Sequence, residues 1–380
     1  MIKLRSVLDR YEASELSCLE AAELLGIGER TFRRWRHRFE EDGEAGLVDR
    51  RLGKVSGREV PAEVGSRVGE LYRTRFAGFT AKHFHEHLVR DHGFRWGYTW
   101  TKTLLQSRGL LERAKRRGAH RRKRPRRPLR GMMLHQDGSR HAWVAGLPAL
   151  DLVVTMDDAT SEIYSAFLVA EEGTASSFRA LADVFGAHGL PSSLYTDRGS
   201  HYFHTPKAGQ KVDKDRPTQV GRALEQLGVE HIAAYSPQAR GRSERAFETL
   251  QDRLTKELAL AAITTIEAAN RFITDVYLPA HNGLFAVRPE QEGTAFVAIP
   301  GVDLAEILCV QEERQVGHDN TVVFHRLRLQ IPESPLRPHY VRATVKVRHY
   351  HDGSHAIFHG PRCIGRYDNK GAIEHDKLAA

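Results

Sequence analysis

Residues 150–169 read LDLVVTMDDATSEIYSAFLV, and this stretch decides the fold class of the central region. Leu150 to Met156 is an apolar, β-prone run, and Ile163 to Val169 is a second one. The polar residues between them predict a turn that joins two strands. Met132 to Val144 can form a strand before them, so we expect a three-stranded meander.

Alternating helices and strands are predicted after this meander. Apolar residues at helical spacing predict helices over 174–188, 220–227 and 241–260, and short β-prone runs at 192–196 and 229–235 predict strands between them. Three strands followed by helix, strand, helix, strand and helix form an α/β layer order. The last helix carries an apolar stripe of Phe247, Leu250, Leu254 and Leu258.

Helical segments dominate the region before the core. Residues 17–26 and 27–39 are two helical segments joined at a glycine, and the second is rich in arginine. This pattern favours a DNA-binding helix-turn-helix over a plain basic hairpin. Residues 79–93 and 100–109 repeat the pattern and predict a second helix-turn-helix. The candidate DNA contacts in the first unit are Arg30, Arg33, Arg34 and Arg36.

A basic tract separates these helices from the α/β region. Eleven Lys or Arg and no acidic residue lie between Arg113 and Arg130, which exceeds the net charge of +9 of the whole chain. Its prolines and the mutual repulsion of its positive charges predict an extended linker, and the same charges predict that it binds nucleic-acid phosphates. The alternative is a solvated linker without a partner. Candidate phosphate contacts in the tract are Arg121, Arg122, Lys123 and Arg124.

Alternating strands return after residue 300, at 326–331, 343–348 and 356–358. Short strands at regular spacing predict a small β-barrel. We therefore expect a multidomain chain with N-terminal all-α units, a central α/β core and a C-terminal barrel. The predicted divisions are 1–52 for the first helix-turn-helix, 53–112 for the second, 113–130 for the basic linker, 131–300 for the core and 301–380 for the barrel.

The composition excludes several classes of protein. The chain has 380 residues, of which 41% are apolar, so it can bury several cores. Cys18, Cys309 and Cys363 lie far apart, which argues against a disulfide framework or a cysteine zinc site and favours a reduced cytosolic setting. The charged N-terminus does not resemble a secretion signal, and the sequence has no apolar run long enough to span a membrane.

Three acidic residues lie beside turns or at a helix start. Asp137 is in HQDGS, Asp197 in LYTDRGS just after a predicted strand, and Glu244 in SPQARGRSER, in the first turn of the long helix. Two divalent ions can stabilise the attacking and leaving oxygens of phosphoryl transfer, and carboxylates are ligands that suit Mg²⁺. One bridging aspartate with a further acid on each ion requires three carboxylates.

These three strings, in this order, resemble the catalytic core of insertion-sequence transposases with a retroviral-integrase-like DDE core, most closely the ISNCY group. The resemblance implies a ribonuclease H-like fold and two Mg²⁺ or Mn²⁺ ions on Asp137, Asp197 and Glu244, with Asp137 bridging. It implies binding to the inverted repeats of the element, strand cleavage and strand transfer. It further implies at least a dimer on DNA, in the bacterial cytoplasm with the nucleoid.

Two features depart from the pattern of this family. The interval between Asp197 and Glu244 is 47 residues, longer than in many relatives, and a polar insertion around 206–217 accounts for the excess. Some relatives carry a basic residue seven positions after the glutamate, where this chain has Gln251. Residues that can substitute as DNA contacts are Arg242, Arg245 and Arg253.

Other acids and histidines compete for a functional role. Asp157 and Asp158 precede a turn, and turn formation explains them better than metal binding, because neighbouring strand residues face opposite ways. Glu248, one turn after Glu244, is its closest rival for the third acid. His83 and His87 share a helix face, but the sequence shows no third ligand at zinc spacing, so we expect no metal there.

Two other functions are consistent with parts of this sequence. A catalytically inactive or domesticated helix-turn-helix regulator would need only the N-terminal units and the basic tract. A metal-dependent nuclease would share the acidic triad and would cut DNA without joining it. The presence of all three acids favours the transposase over the regulator.

Overall fold

The structure, a computed structural model, describes residues 2–48, 60–113, 125–206, 211–213, 215–235, 237–335 and 337–374. The chain divides into two compact units. One comprises Met1–Arg73 with Arg95–Leu110, and the other comprises Thr74–Phe94 with Leu111–Ala380. Within the described part of the chain, no helix is long and apolar enough to cross a membrane.

Among the described residues, six α-helices precede the core: α1 (Ile2–Glu12), α2 (Cys18–Leu25), α3 (Glu29–Asp42), α4 (Ala62–Arg75), α5 (Ala81–His92) and α6 (Tyr98–Ser107). Ser17 begins α2 with a capping box, since its backbone N–H donates to Glu20 over 2.8 Å and its hydroxyl accepts from the Glu20 N–H. Gly26 ends α2 in the left-handed conformation, φ 67°, which glycine adopts without strain. The predicted helix–turn–helix arrangement of the first unit is therefore confirmed for α2 and α3.

A small apolar core packs α1, α2 and α3 together. It is formed by Val7, Leu8, Ala21, Ala22 and Phe32. The two helices of the predicted second helix-turn-helix are present as α5 and α6, but they belong to different units. Their function as a DNA-binding pair stays a prediction. Residues 114–124 of the predicted basic linker, with Arg121, Arg122, Lys123 and Arg124, lie outside the described residues.

The second unit contains a five-stranded mixed sheet. Its strands and helices are β1 (Leu134–His141), β2 (Leu150–Asp157), β3 (Ile163–Val169), α7 (Thr174–His188), β4 (Ser193–Thr196), α8 (Gln219–Gln226), β5 (Glu230–Ala233) and α9 (Pro237–Leu260). The strand order is β3-β2-β1-β4-β5, with β1 to β3 antiparallel and β4 and β5 parallel to β1. The predicted meander and α/β layer order are confirmed, and this is the arrangement expected of a ribonuclease H-like core.

Helices cover both faces of this sheet. On one face, Leu152 and Val154 of β2 pack against Phe247, Leu250 and Leu254 of α9. The helices α10 (Ile266–Phe272) and α11 (Leu278–Phe285), joined by a π-helical turn at Ile273–Tyr277, complete this layer. On the other face, α7 and α8 bury a separate apolar cluster against β1 and β4. Every residue of β2 is buried as a result.

The C-terminal region differs from the predicted barrel. Its strands are β6 (Val310–Gln315), β7 (Thr321–Phe324), β8 (Leu327–Gln330), β9 (Thr344–His349), β10 (His355–His359) and β11 (Arg362–Tyr367). They form a four-stranded sheet, β11-β10-β9-β6, and a β7-β8 hairpin over one apolar core, and in the described residues they do not close into a barrel. Regular strand spacing indicated a small β domain, but spacing does not specify which edge strands pair.

Candidate active site

Asp137 lies on β1, and Asp197 directly follows β4, the parallel neighbour of β1. β1 and β4 pair Leu134 with Leu194 and His135 with Tyr195, which are partners sixty positions apart. Asp137 and Asp197 are separated by the same interval, but β4 ends at Thr196 and the pairing ends at His135 and Tyr195. The first two predicted acids thus belong to neighbouring parallel strands, and their side-by-side placement stays a prediction.

The face that carries Asp137 is the one covered by α9. Asp137 lies opposite Val154 of β2, whose side chain belongs to the core formed with α9. Ser139, two residues further along β1, projects from the same face because side chains alternate along a strand. Its hydroxyl accepts a hydrogen bond of 2.9 Å from the Gln251 amide of α9. The helix that carries Glu244 therefore contacts the strand that carries Asp137.

Local backbone hydrogen bonds orient both aspartates. Asp137 is buried, and its Oδ1 accepts from the Gly138 N–H over 3.1 Å. Asp197 follows β4, and its Oδ1 accepts from the Gly199 N–H over 2.8 Å. A side chain at Gly199 would lie 3.0 Å from that same oxygen. Gly138, directly after Asp137, and Gly199, two residues after Asp197, thus each donate a backbone N–H that orients the carboxylate.

The carboxylate of Glu172, which the sequence analysis did not identify, lies close to Gly138, the residue after Asp137. A Cβ atom at Gly138 would stand 2.0 Å from Oε2 of Glu172. The other oxygen of Glu172 accepts from the Tyr202 hydroxyl over 3.2 Å and lies 3.5 Å from His201 Nε2. Burial raises the pKa of Tyr202 well above its usual value, and the charges of Glu172, Asp137 and Asp197 raise it further. The only feature of the sequence that could have indicated a close contact here is Gly138, since a residue without a side chain leaves room for Glu172.

A buried ion pair fixes the start of α9. Arg242 pairs with Asp158, which directly follows β2 and is completely buried. Asp158 also accepts from His135 over 2.7 Å and from the Arg127 N–H over 2.7 Å. Burial alone would raise the pKa of Asp158, but these donors and Arg242 lower it well below its usual value. α9 therefore contacts the sheet at two points. Arg242 pairs with Asp158 at the end of β2, and Gln251 donates to Ser139 of β1.

The Asp157–Asp158 pair has structural partners, in agreement with the interpretation of these residues as turn-forming. Asp157 accepts from the Thr160 N–H, three residues further on in the turn, over 2.8 Å, and from the Gly131 N–H over 2.9 Å. Both carboxylates are fully buried, and both accept hydrogen bonds from donors within the protein.

Glu244 and Glu248 are both exposed on α9. Of the described residues, the acids Asp137, Asp197 and Glu244 do not form a group with ligand oxygens within 4.8 Å of one another. Glu244 lies two residues after Arg242 and seven before Gln251, so it stands between the two attachments of α9. Seven residues are close to two helical turns, which places Glu244 and Gln251 on one side of the helix.

The predicted DNA-contacting arginines fall into two groups. Arg30, Arg34 and Arg245 are exposed, as is Arg33, which pairs with Glu29 over 2.8 Å. Three other candidates among the described residues are engaged within the protein. Arg36 donates to the Tyr11 hydroxyl over 3.0 Å, Arg242 pairs with Asp158, and Arg253 pairs with Glu86 over 2.6 Å.

Known proteins resemble this chain both in its N-terminal segment and along most of its length. Residues 4–63 match the winged helix-turn helix family. Over 352 residues the chain is 31% identical to the putative transposase y4bF of Sinorhizobium fredii, which covers 91% of this chain and 76% of that protein. It is 24% identical over 317 residues to the transposase for insertion sequence IS1202 of Streptococcus pneumoniae, covering 74% and 67% of the two chains. The chain belongs to the transposase family of y4bF.

Solved structures of viral integrases resemble the chain only weakly. A chain of the simian T-cell lymphotropic virus intasome in complex with the PP2A regulatory subunit B56 gamma aligns with a TM-score of 0.34 and 16% identity, over 74% of this chain and 91% of that one. The HTLV-2 integrase catalytic core domain in complex with magnesium aligns with a TM-score of 0.29 and 14% identity, over 39% and 89%.

Proposed function

We propose that this protein is a DDE transposase, which binds the terminal inverted repeats of an insertion sequence and catalyses cleavage and transfer of DNA strands. Membership of a transposase family supports the general activity. The observation that supports the catalytic assignment is that Asp137 lies on β1, on the sheet face covered by α9, and that Asp197 directly follows the parallel neighbour β4. The assignment to the ISNCY group stays a prediction.

We infer that Glu244 is the third acid of the site. Its support is the position of α9, which is attached by Arg242 at one point and by Gln251 at another. Glu244 lies between these attachments and on the same side of the helix as Gln251. Glu248 is also exposed on this part of α9, so it serves as the comparison residue in any test.

The proposed cofactor is Mg²⁺ or Mn²⁺, two ions per active site, held by Asp137, Asp197 and Glu244. Carboxylate oxygens suit these ions, and each aspartate keeps one oxygen on a backbone N–H, which orients the other. When bound, such ions stabilise the attacking and leaving oxygens of phosphoryl transfer.

The chain itself holds and orients the reacting groups. Gly138 and Gly199 fix the two aspartates through their backbone N–H groups, and Gln251 holds α9 against β1. A small displacement of these carboxylates is expected to slow the reaction strongly, because catalysis by positioned groups depends on geometry at the ångström scale.

DNA binding is assigned to the exposed arginines of the first unit and of α9. We propose that Arg30, Arg33 and Arg34 of α3 contact the element ends and that Arg245 contacts DNA near the active site. The segment 121–124 is proposed to bind phosphates, because it concentrates positive charge. Joining two element ends requires at least a dimer in the DNA complex.

The test is a strand-transfer assay with Mg²⁺ and the DNA of the element's own ends. We expect Asp137→Asn, Asp197→Asn and Glu244→Gln to lose joined products while they keep end binding. Glu248→Gln is the matched control and should retain joining. Cleavage without joining in the wild-type protein would favour a nuclease. End binding without cleavage or joining would favour a regulator.

A further inference from the structure

A cluster of two histidines and a glutamate lies outside the site described above. His83 and His87 lie one turn apart on α5, and Glu257 comes from α9, 170 positions beyond His87. Nε2 of His83 is 2.6 Å from Oε1 of Glu257, and Nε2 of His87 is 2.9 Å from the same atom. In the described part of the chain, this is the one group of three candidate ligands whose atoms all lie within 4.8 Å of one another.

We propose that His83, His87 and Glu257 form a binding site for a zinc-type divalent cation that fastens α5 to α9. Two imidazole nitrogens and one carboxylate oxygen are a known ligand set for Zn²⁺, with a remaining position for water. The proposal departs from the sequence-based expectation of no metal here, because the third ligand is far away in the chain and is supplied by the fold.

Asp91 supports this assignment through its position behind His87. Its carboxylate lies 2.8 Å from Nδ1 of His87, on the side of the ring opposite Glu257, and Nη2 of Arg90 lies 2.9 Å from the same nitrogen. A carboxylate behind a metal-binding histidine is a common arrangement that fixes the ring.

The surroundings of the cluster are suited to holding an ion. The side chains of His83 and His87 are 3% and 4% exposed, and that of Glu257 is 16% exposed. A buried carboxylate requires a compensating charge. Arg253 lies close by but already pairs with Glu86 over 2.6 Å. The three ligands line a cavity of about 870 Å³ between α5, α9 and α11, through which water or a further ligand can reach the ion.

The first experiment measures the metal content of the full-length chain, purified without a histidine tag and dialysed against metal-free buffer. We expect about one zinc per chain in the wild type, and little in His87→Ala or Glu257→Gln. Glu257→Gln keeps an acceptor for the histidines, so it should fold, as checked by circular dichroism. His92→Ala, an exposed histidine on the same helix, is the matched control and should keep its zinc.

A second experiment detects the metal ligands by visible absorption spectroscopy of the cobalt-substituted protein. Replacement by Co²⁺ should give a visible absorption band in the wild type and in His92→Ala, and Glu257→Gln should lack it. Asp91→Asn keeps all three ligands and should weaken zinc binding by roughly 10–100-fold, measured by competition with a chromophoric chelator.

Two outcomes would overturn the proposal. One is a wild-type chain that holds no zinc and gives no Co²⁺ spectrum, which would leave the cluster as a hydrogen-bonded network. The other is zinc that survives in His87→Ala and Glu257→Gln but is lost in Asp137→Asn and Asp197→Asn, which would place the ion at the proposed catalytic acids. Because metal content is measured without DNA, this test is independent of strand transfer.

Discussion

Arg242, near the start of α9, forms an ion pair with Asp158, whose side chain is completely buried at the end of β2. This contact joins the helix that bears Glu244 to the strand next to Asp137. It also converts one predicted DNA contact into a candidate positioning residue, because a guanidinium held by a buried carboxylate is poorly placed to reach DNA. Asp158, interpreted from sequence as a turn residue, thereby helps to set the position of α9.

Replacing Asp158 by Asn should destabilise the protein by about 3–5 kcal/mol, because Arg242 would lose its charged partner in a buried setting. The free energy of unfolding in urea measures this change. Glu29→Gln is the control, since the Glu29–Arg33 pair is exposed and should contribute less than about 1 kcal/mol. Equal effects of the two substitutions would contradict the importance of the buried pair.

Ser139 and Gln251 should act together rather than separately. Each of Ser139→Ala and Gln251→Ala removes the same hydrogen bond, which joins β1 to α9. We expect each to slow strand transfer, and we expect the double variant to be little slower than either single one. A double-mutant cycle on the rate constants measures the coupling, which should lie in the range of about 0.5–3 kcal/mol. Fully additive effects would show that the contact does not position α9.

Gly138→Ala should impair the active site without unfolding the protein. A methyl group there would collide with Glu172, whose flexible side chain can move away and give up its contact with Tyr202. We expect strand transfer to fall by roughly 10–100-fold, with little change in the melting temperature. Gly186→Ala, in open space on α7, is the matched control. Adding Glu172→Ala should remove the collision, and a further loss of stability in that double variant would argue against this explanation.

Acidic pH should destabilise the second unit through two histidines, the partly buried His231 and the buried His281. Burial lowers the pKa of His231 to about 3 and that of His281 to about 4, so both stay neutral in the folded protein at pH 5. In the unfolded chain they take up protons below about pH 6.5. Stability is therefore lost as the pH falls below that value, by about 2 kcal/mol for each histidine at pH 5.

His281→Phe tests this pH dependence, because it keeps an aromatic ring and removes the titrating group. The loss of stability between pH 7 and pH 5, measured by urea unfolding, should shrink by about 2 kcal/mol. His351→Ala, at an exposed position, should leave the loss unchanged. An unchanged pH dependence in His281→Phe would mean that other groups cause it.

The sequence predicted the core well where burial imposes a strong pattern. Ile163–Val169 and Thr174–His188 have the predicted bounds, since an alternating or helical apolar pattern was clear in each. The helices α10 and α11 were not predicted. The π-helical turn between them interrupts the helical period on which such predictions depend.

The candidate site was predictable only in part. Motifs identified Asp137, which lies on β1, and Asp197, which follows the parallel neighbour β4, whereas the triad that they would form with Glu244 stays a prediction. Glu172 and Tyr202 were missed, because neither lies in a recognisable pattern and their approach to Gly138 depends on the packing of α7 and β1. Glu257 was missed for the same reason: no local spacing relates it to His83 and His87.

The shared register of β1 and β4 has a consequence for how this family can diverge. Insertions in the loops between Asp137 and Asp197 lengthen the chain between the acids and leave β1 paired with β4, because this pairing depends on the strands and not on the length of the loops. A single residue inserted within β4 would instead turn the alternation of its side chains and send Asp197 to the opposite face. Among descendants of a common ancestor, the interval between these acids is therefore free to drift, while the few residues of β4 before Asp197 should resist any change of length.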